Sequence, residues 1–496
     1  MGTDSMSGEP RRFLNLIDGG TRPAASGEWI DSIDPSTGRV WAQAPAGGAP
    51  DIDAAVEAAR RAWRGWRRTP AAQRAALLRN LAAAFAEAAP ALAEIETRDN
   101  GRILTETTAG DLPAVVQMLH YWAGAADKIQ GETVAISPAS LNYVQREPIG
   151  VIGMIVPWNA PLAIFVAKAG AALAAGNTIV VKPPESASCS ILAAAALFEK
   201  AGFPPGVMNV VAGLGSVAGD ALAGHPDVGK IAFTGSTATA RAITARSAAA
   251  IKPLSFELGG KSANIVFADA DLDLATPGVT SAAIYTGGAG QACIAGSRIL
   301  VQRPIYDEMV DRIARAAAAI RLGDPMAPAT QMGPIALAPQ YDKVRGYLDI
   351  GRSEGAELVV GGRDSGALFE AESPLAGGYY VEPALFAGVT PDMRIYREEI
   401  FGPVACVLPF DDEEEAIAMA NDSPYGLACG LWTNQLKRAH RVAAEVEVGA
   451  VWINTYRRIH WALPFGGMKQ SGYGRDSGLE SLRGYQHSKS VWVDLT

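Results

Sequence analysis

Residues 151–185 read VIGMIVPWNAPLAIFVAKAGAALAAGNTIVVKPPE, and this stretch decides the fold. Val151–Val156 is a continuous apolar run, which is typical of a strand covered on both faces. The segment from Pro161 to about Ala175 has the composition of a buried helix, and Thr178–Val181 is a second apolar strand. A strand, a helix and another strand in this order predict a βαβ unit within a parallel sheet.

The alternation of strands and helices continues beyond residue 185. Further apolar strands are predicted at Val207–Val211, Lys230–Phe233 and Lys252–Glu257, with turns and helical segments between them. In such sheets small molecules bind beyond the carboxyl ends of the strands. The residues that follow those ends are therefore the first candidates for a binding site. They are Asn159, Lys182, Glu185, Gly213–Gly219, Thr234–Ser236 and Glu257.

The size and composition of the chain favour a multidomain globular enzyme. It has 496 residues, of which 49% are hydrophobic and 19% are charged, so more than one domain is expected. The formal net charge is −9 and no dense Lys/Arg block is present, which disfavours binding to nucleic acid or to an anionic membrane. Charged and small polar residues interrupt the longest apolar stretch, Ala160–Val181, so we interpret it as buried rather than membrane-spanning.

The cysteines indicate the compartment. They are scattered, with no CxxC pair and no Cys/His pairing, which argues against a disulfide framework and predicts no metal site. The first residues, MGTDSMSGEPRRF, contain no apolar run, so no secretory signal is predicted. We therefore predict a cytoplasmic protein. The four cysteines are Cys189, Cys293, Cys406 and Cys429.

One cysteine lies in an unusually open loop. Tyr285–Arg298 reads YTGGAGQACIAGSR, with Gly287, Gly288 and Gly290 just before Cys293. Glycines permit close backbone approaches, and free N–H groups in such a loop can point at a developing oxyanion. Cys293 is therefore the candidate nucleophile. The alternative is that Cys293 is a small buried apolar residue, as many single cysteines are.

Two polar residues at strand ends could serve such a nucleophile. Glu257 ends a buried strand beside Gly259 and could act as a base, although an ion pair with Lys261 is the structural alternative. Asn159 lies at the end of the strand Val151–Val156, where its amide could donate to an oxyanion. The alternative for Asn159 is ordinary turn chemistry.

Another pair could hold a nucleotide. Lys182 and Glu185 follow a buried strand and could bind ribose hydroxyls, and a carboxylate there would favour NAD over NADP. A solvated loop pair is the alternative. The turn Gly213–Gly219, GLGSVAG, could receive a phosphate at a helix start, but its glycine spacing differs from the usual dinucleotide fingerprint.

Taken together, the motifs resemble the aldehyde dehydrogenase superfamily of the hydrolytic, NAD(P)-dependent type. The resemblance covers nearly the whole chain, with the motifs in the order of the family. The motifs are Pro157-Trp-Asn159, Lys182-Pro-Pro-Glu185, Phe233-Thr-Gly-Ser-Thr237, Glu257-Leu-Gly-Gly-Lys-Ser262, Gly290-Gln-Ala-Cys293, Glu398-Glu-Ile-Phe-Gly-Pro403 and Pro464–Gly472.

The resemblance implies a role for each catalytic position. Cys293 would attack the aldehyde carbon as a thiolate, and the Asn159 amide with the Cys293 N–H would stabilise the oxyanion. Hydride transfer to the nicotinamide would leave a thioester, and Glu257 would activate the water that hydrolyses it. Lys168 matches a lysine that the family has near the oxyanion or the proton path.

The resemblance also implies a cofactor, NAD, with NADP as the alternative. Lys182 and Glu185 would hold the adenosine ribose, Glu399 the nicotinamide ribose, and Phe401 would lie against the ring. Gly215, Gly219 and Ser236 would lie near the pyrophosphate. The remaining positions expected to face the cofactor are Pro157, Trp158, Phe233, Thr234, Gly235 and Leu258.

The fold implied is α/β with three parts. A Rossmann-like parallel-sheet cofactor domain would comprise residues 1–126 and 148–261, and a second α/β catalytic domain residues 262–476. A small β projection, residues 127–147 and 477–496, would assemble a homodimer or homotetramer. The alternating pattern of His487–Leu495 agrees with an edge strand available for pairing with another subunit.

The substrate is left open as a small aldehyde. Residues 454–463, NTYRRIHWAL, align with the family's aldehyde tunnel. Arg457, Arg458 and His460 could meet the carboxylate of a semialdehyde, and Tyr456 and Trp461 could flank an aromatic or apolar tail. Phe465 is a further candidate for contact with the substrate. A solvated loop with subunit contacts is the alternative.

Three positions depart from the family's pattern without removing a catalytic group. Gly288 replaces a common Asn and is expected to loosen the nucleophile loop, Ala171 replaces a common Pro, and Asp476 replaces a frequent Glu. Three other functions remain as alternatives. A CoA-acylating dehydrogenase would not need Glu257, a binding protein would not need Cys293, and a cofactor-free cysteine hydrolase would not need the cofactor positions.

Overall fold

A computed structural model describes residues 10–496 of the chain. The strands are numbered in chain order. They are β1 (Arg11–Arg12), β2 (Asn15–Ile17), β3 (Gly20–Arg22), β4 (Trp29–Asp34), β5 (Arg39–Pro45), β6 (Glu132–Thr133), β7 (Ser140–Pro148), β8 (Val151–Ile155), β9 (Thr178–Lys182), β10 (Met208–Val210), β11 (Lys230–Thr234), β12 (Leu254–Glu257), β13 (Ala263–Val266), β14 (Arg298–Gln302), β15 (Glu357–Val360), β16 (Ala384–Ala387), β17 (Val404–Phe410), β18 (Tyr425–Gly426), β19 (Ala428–Trp432), β20 (Ala450–Ile453), β21 (Met468–Lys469), β22 (Gly472–Tyr473) and β23 (Gln486–Asp494).

The helices are numbered in the same way. They are α1 (Ala49–Trp66), α2 (Ala71–Asn100), α3 (Leu104–Glu106), α4 (Leu112–Ala125), α5 (Pro161–Ala174), α6 (Cys189–Lys200), α7 (Asp220–Gly224), α8 (Thr237–Ser247), α9 (Leu272–Val279), α10 (Tyr306–Ala318), α11 (Ala338–Ser353), α12 (Ser365–Leu368), α13 (Arg394–Arg397), α14 (Glu413–Asn421), α15 (Leu436–Glu445) and α16 (Gly478–Arg483). Two π-helical turns, Thr107–Asp111 and Gly215–Gly219, precede α4 and α7. Among residues 10–496, no helix combines the length and the apolar character that a membrane crossing needs.

The first sheet has eight strands in the order β22-β12-β11-β8-β9-β10-β2-β3. The strands β12, β11, β8, β9 and β10 are parallel to one another. They are the strands predicted from the apolar runs, and β2 and β22 extend the sheet at its ends in antiparallel orientation. Every residue of β8 is buried, as expected for a strand covered on both faces.

The two faces of this sheet carry separate hydrophobic cores. Ile152 and Met154 pack on one side with α2, α4, α5 and α6. Val151 and Ile155 point to the other side, toward α1 and the core that includes Leu222. The alternation follows from the period of two along a strand. Pro161 at the start of α5 leaves no unsatisfied N–H at that position.

The second sheet has seven strands in the order β15-β16-β17-β14-β13-β19-β20. All of its pairings are parallel except the one between β15 and β16. Ile265 and Val266 belong to different cores, because they point to opposite faces of the sheet. The predicted α/β fold with two parallel-sheet regions is confirmed.

A third sheet, β23-β7-β6, is antiparallel and stands apart from the other two. Strands β7 and β23 pair along their whole length, from Gln486 with Pro148 to Asp494 with Ser140. Leu482 of α16 and Tyr485, just before β23, lie in the core of the first sheet. The domain boundaries given above remain a prediction, and residues 1–9 of the first range lie outside the described residues.

Candidate active site

Two cavities meet at the residues predicted to be catalytic. The first has a volume of about 170 Å³ and opens on the first sheet. The second has a volume of about 280 Å³ and lies toward α4 and residues 457–465. Asn159, Ile164, Glu257 and Cys293 line both cavities. A molecule in either cavity can therefore reach the Cys293 thiol.

The loop that carries Cys293 depends on glycines at close contacts. Gly290 has a φ of +68°, and a Cβ there would lie 2.5 Å from the Gly402 carbonyl oxygen. A Cβ at Gly260 would lie 2.6 Å from the Cys293 carbonyl oxygen. Such approaches exclude larger residues, so the loop is fixed by packing against its neighbours. Cys293 itself is half-buried, whereas the other three cysteines are fully buried, and all four are free thiols.

Glu257 ends strand β12 and faces the thiol of Cys293. Its side chain is 5% exposed, and Oε1 has no partner within the described part of the chain. Burial raises the pKa of Glu257 to about 7, against the opposing effects of the Cys293 hydrogen bond and of Lys168. Burial, followed by the charge of Glu257, also raises the pKa of the Cys293 thiol. Both shifts favour the protonated forms, so the thiol loses its proton only when a base accepts it, and Glu257 is the carboxyl group beside it.

Asn159 lies beside the nucleophile loop. Its Nδ2 donates to the Gln291 carbonyl oxygen over 2.9 Å. The Gln291 side chain in turn donates to the Gly288 carbonyl and accepts from the Ala336 N–H, each over 2.9 Å. These contacts hold the Asn159 amide and the loop in one arrangement. The second Nδ2 hydrogen of Asn159 is available to an oxygen in the cavity.

Lys168 is deeply buried behind the catalytic residues. Its Nζ donates to Asp476 Oδ2 over 2.6 Å, and the Lys168 side chain is 1% exposed. Asp476 lines the second cavity, whereas Lys168 lines neither of the two. The effect of Lys168 on this site is electrostatic, because its charge lowers the pKa of Glu257.

The first cavity is lined by most of the predicted cofactor positions. Phe401 adopts a φ of +59° and packs edge-on against Trp158, with ring centroids 5.3 Å apart. Glu399 Oε1 accepts from the Gly260 N–H over 2.9 Å, and a Cβ at Gly259 would overlap the Glu399 carboxylate. The predicted positions that line this cavity are Pro157, Trp158, Asn159, Thr234, Gly235, Ser236, Glu257, Leu258, Cys293, Glu399 and Phe401.

The other predicted cofactor positions lie outside that cavity. Glu185 Oε2 accepts from the Gly215 N–H over 2.7 Å, and Lys182 Nζ is 4.0 Å from the same oxygen. Burial lowers the pKa of Lys182 to about 8, although Glu185 opposes this effect. Gly219 is buried in the π-helical turn, and Phe233 packs beneath Gly235.

These residues fit a dinucleotide. Thr234 lines the first cavity, and its Oγ1 is buried without a hydrogen-bond partner in residues 10–496, as expected of a polar group that a ligand would satisfy. A Cβ at Gly215 would meet only the ends of the Glu185 and Lys182 side chains, so a ligand can approach the backbone there. Glu399 and Glu185 offer carboxylates at separate places, as two ribose hydroxyl groups require.

Residues 454–463, here called the aldehyde loop, line the second cavity only in part, and Phe465 beyond the loop lines it as well. Arg457, Trp461 and Phe465 line it, and their contact with an aldehyde stays a prediction. His460 does not line it: it is exposed, stacks on Trp461 at a centroid distance of 4.3 Å, and accepts from the Ala462 N–H.

Several lining residues were not identified from the sequence. Gln340 and Lys343 of α11 line the first cavity, and Arg102, Asp111 and Met118 line the second. None follows a strand of the first sheet, so the rule that located the other residues does not apply to them. The π-helical turn that ends at Asp111 is a signal for a functional site, but only the structure shows it.

Comparisons with known proteins agree with this geometry. The sequence model described as the aldehyde dehydrogenase family matches residues 22–491. DhaS of Bacillus subtilis (strain 168) is 44% identical over 481 residues, which cover 97% of this chain and 95% of DhaS. The aldehyde dehydrogenase of Alternaria alternata is 43% identical over 474 residues, which cover 95% of this chain and 93% of that protein.

Solved structures show the same likeness. The NAD+ complex of aldehyde dehydrogenase from Bacillus cereus matches this chain with a TM-score of 0.95 and 44% identity. The match covers 98% of this chain and 97% of that one. The chain belongs to the aldehyde dehydrogenase family.

Proposed function

We propose that the protein oxidises an aldehyde to the carboxylic acid with NAD as the oxidant, through a covalent intermediate on Cys293. The observation that carries the proposal is the meeting of two cavities at one thiol and one buried carboxyl group. One cavity has the polar groups that a dinucleotide needs, and the other has an apolar wall suited to an aldehyde. Such an arrangement is what a two-substrate redox reaction at one carbon requires.

The chain's own residues supply the acid–base and covalent chemistry. The Cys293 thiol transfers its proton to Glu257, and the sulfur bonds to the aldehyde carbon to give a thiohemiacetal. The Asn159 amide and the Cys293 N–H donate to the oxygen as it becomes negative. Glu257 must release to solvent the proton that it took from the thiol before it can act again. Once the thioester has formed, Glu257 takes a proton from a water molecule, whose oxygen attacks the acyl carbon. The C–S bond then breaks, the proton passes from Glu257 to the leaving sulfur, and the acid and the thiol are released.

The oxidation step needs an acceptor that side chains do not provide. Bound NAD would supply it by accepting the hydride that leaves the substrate carbon. Lys182 and Glu185 would hold one ribose and Glu399 the other, with Phe401 and Trp158 against the nicotinamide end. The Glu185 carboxylate would repel a 2′-phosphate, so NAD is preferred over NADP.

The test is NADH formation from small aldehydes by the purified protein. We expect an aldehyde-dependent rise in NADH with NAD and a much smaller rise with NADP. The Cys293→Ala variant should bind NAD, measured by calorimetry, without forming NADH. Absence of NADH with every aldehyde of a broad panel would overturn the proposal.

We further propose that the protein is a homodimer or homotetramer in the cytoplasm. The third sheet exposes large apolar side chains, among them Leu141 and Trp492, the latter 66% exposed. A second copy of the chain would cover them. Four free thiols fit a reducing compartment. Light scattering of the wild type and of Trp492→Ser tests the assembly, which a monomeric wild type would contradict.

A further inference from the structure

A chain of alternating charges runs along one side of the second cavity: Arg102, Asp111 and Arg457 line the cavity, and Glu106 contacts both arginines without lining it. Arg102 donates to Asp111 through Nε and Nη2, over 2.8 and 3.0 Å. Its Nη2 is also 3.3 Å from Glu106 Oε2. Glu106 Oε1 accepts from Arg457 Nη1 over 3.0 Å. We call these four residues, Asp111, Arg102, Glu106 and Arg457, the charge wall.

The charge wall is neutral as a whole. Burial would raise the pKa of Glu106, but Arg102 and Arg457 outweigh it and hold that pKa below its usual value. Burial would likewise lower the pKa of Arg102, but its carboxylate neighbours, Asp111 first, outweigh it and raise that pKa. Two arginines therefore face two carboxylates. The nearby Lys168–Asp476 pair is also balanced, which leaves Glu257 and Cys293 as the other ionisable side chains among the residues that line the second cavity.

Arg457 is directed at Glu106 by its backbone. Its φ is +57°, a conformation that residues other than glycine adopt rarely. The side chain is 26% exposed, and that of Glu106 is 23% exposed. The ion pair joins two positions that are 351 residues apart in the chain. It therefore fixes the aldehyde loop against the turn before α4.

The rest of the second cavity is largely apolar. Besides several alanines, its lining includes Met118, Ile164, Ile294, Ile459, Trp461 and Phe465. A carboxylate brought into such a cavity loses its water and must gain an unpaired cation in return. The charge wall offers arginines that already have carboxylate partners.

We propose that the second cavity selects uncharged aldehydes with an apolar or aromatic tail, and that Glu106 determines this selectivity as the internal counter-ion of Arg457. The inference rests on the proposed function, since it names the substrate class of the same site. Without Glu106, Arg457 would be free to bind the carboxylate of a semialdehyde. With Glu106 in contact, the charge of Arg457 is already neutralised by the protein's own carboxylate.

The test compares two aldehydes that differ in charge, para-formylbenzoate and its methyl ester, at saturating NAD. In the wild type we expect kcat/KM for the ester to be higher by about tenfold or more, where tenfold corresponds to about 1.4 kcal/mol. Glu106→Gln should reduce this ratio by about tenfold, because Arg457 loses its counter-ion. Arg457→Gln should increase the ratio, because two carboxylates then face Arg102 alone and the charge wall becomes negative.

The matched control is Glu413→Gln. Glu413 also lies between two arginines, 2.7 Å from Arg441 and 3.5 Å from Arg438, and its side chain is 24% exposed. It is remote from both cavities, so the ester-to-acid ratio should stay at the wild-type value. If Glu106→Gln does not fold, the ester-to-acid ratios of kcat/KM for the wild type and for Arg457→Gln still test the selectivity proposal.

The outcomes separate the two proposals. A wild type that oxidises the carboxylate as well as the ester, or better, overturns the selectivity proposal and leaves the proposed function intact. An unchanged ratio in both wall variants overturns the role of Glu106. Failure to oxidise either aldehyde, or any other, would instead count against the proposed function.

Discussion

The two cavities differ in how their walls are built. The wall of the first cavity consists mainly of short stretches at the ends of parallel strands, such as residues 157–159, 234–236 and 257–259. The wall of the second cavity joins the turn before α4, one face of α5, the nucleophile loop and residues 457–477. Strand ends fix the position of a side chain through the sheet, whereas the second wall depends on packing and ion pairs between remote segments. The first wall should therefore tolerate little change, and the second should be where selectivity varies.

The largest expected effect is that of Cys293→Ala, which should abolish aldehyde oxidation but leave NAD binding nearly unchanged. Without the sulfur no covalent intermediate forms, so aldehyde oxidation should fall by about 10⁴-fold or more. The first cavity keeps its other groups, so the dissociation constant for NAD should change by no more than about twofold. Steady-state NADH formation and calorimetry measure the two quantities. A large loss of NAD affinity would show that the walls are not independent.

Glu257→Gln should have the next largest effect, on hydrolysis. The steady-state rate should fall by about 10²- to 10⁴-fold, the usual contribution of a general base. One equivalent of NADH should still form in the first turnover, although more slowly, because the thiol has lost its proton acceptor. Rapid-mixing measurements of NADH show the burst. Glu413→Gln serves as the control. If the burst and the steady-state rate fall by the same factor, Glu257 acts in a step before hydrolysis and not in hydrolysis itself.

The pH dependence of the wild type should report Glu257. Its pKa is raised to about 7 by burial, and only the ionised carboxylate accepts a proton. The hydrolytic rate should therefore rise about tenfold per unit below that pKa and level off above it. A pH profile of kcat between about pH 5 and 9 tests this sign. A rate that falls as the pH rises through 7 would contradict it.

Sequence alone identified more of the first wall than of the second. Thr234, Gly235 and Ser236, which line the first cavity and not the second, were predicted because they follow the end of a strand. Cys293, Glu257 and Asn159 line both cavities; glycines and strand ends mark them locally, and the structure brings these three residues together. Arg102 and Glu106 were not predicted. Their partner Arg457 is remote in the chain, and the local sequence pattern does not predict an ion pair between segments 351 residues apart. His460 lies next to Trp461 in sequence, yet the turn of the loop directs it to solvent.

Gly288 is a single position at which the sequence did not predict the contact that the structure shows. Its replacement of a family Asn was expected to loosen the nucleophile loop. In the structure Gly288 is buried, and a Cβ there would lie 3.1 Å from Arg102 Nη1. Gln291 Nε2 also donates to its carbonyl oxygen. The consequence for the mobility of the loop stays a prediction, but the position next to Gly288 is occupied by a side chain of the charge wall.

A smaller effect is expected from Glu185→Ser in the first wall. Removing the carboxylate removes the repulsion toward a 2′-phosphate, so the preference for NAD over NADP should narrow by about tenfold. The loss of its bond with the Gly215 N–H should also weaken NAD binding. The Michaelis constant for the aldehyde should not change, because Glu185 is outside the second cavity. Kinetics with both cofactors measure the ratio, and a shift in aldehyde selectivity would connect the two walls.

The smallest expected effect is on the free energy of unfolding, through Glu96, a buried carboxyl group near Asp111 of the second wall. Glu96 of α2 is fully buried and accepts from the Leu162 N–H at the start of α5 over 3.3 Å. Burial, followed by the charge of Asp111, raises the pKa of Glu96 to about 8. The folded protein thus keeps a proton that the unfolded chain releases above its ordinary pKa of 4.5. Stability is therefore lost as the pH rises from there to about 8.

Glu96→Gln should remove this dependence, because the amide resembles the protonated acid and has no charge to bury. The variant and the wild type should have similar melting temperatures near pH 5. The variant should gain about 1 to 2 kcal/mol by pH 8, a shift of a few degrees. Glu94→Gln, two positions away on the solvent side of the same helix, is the matched control and should show no such trend. A stability advantage of Glu96→Gln that shrinks as the pH rises would contradict this account. It would mean that the Glu96 carboxyl group is ionised in the folded protein, so that the second wall has one negative charge without a cationic partner.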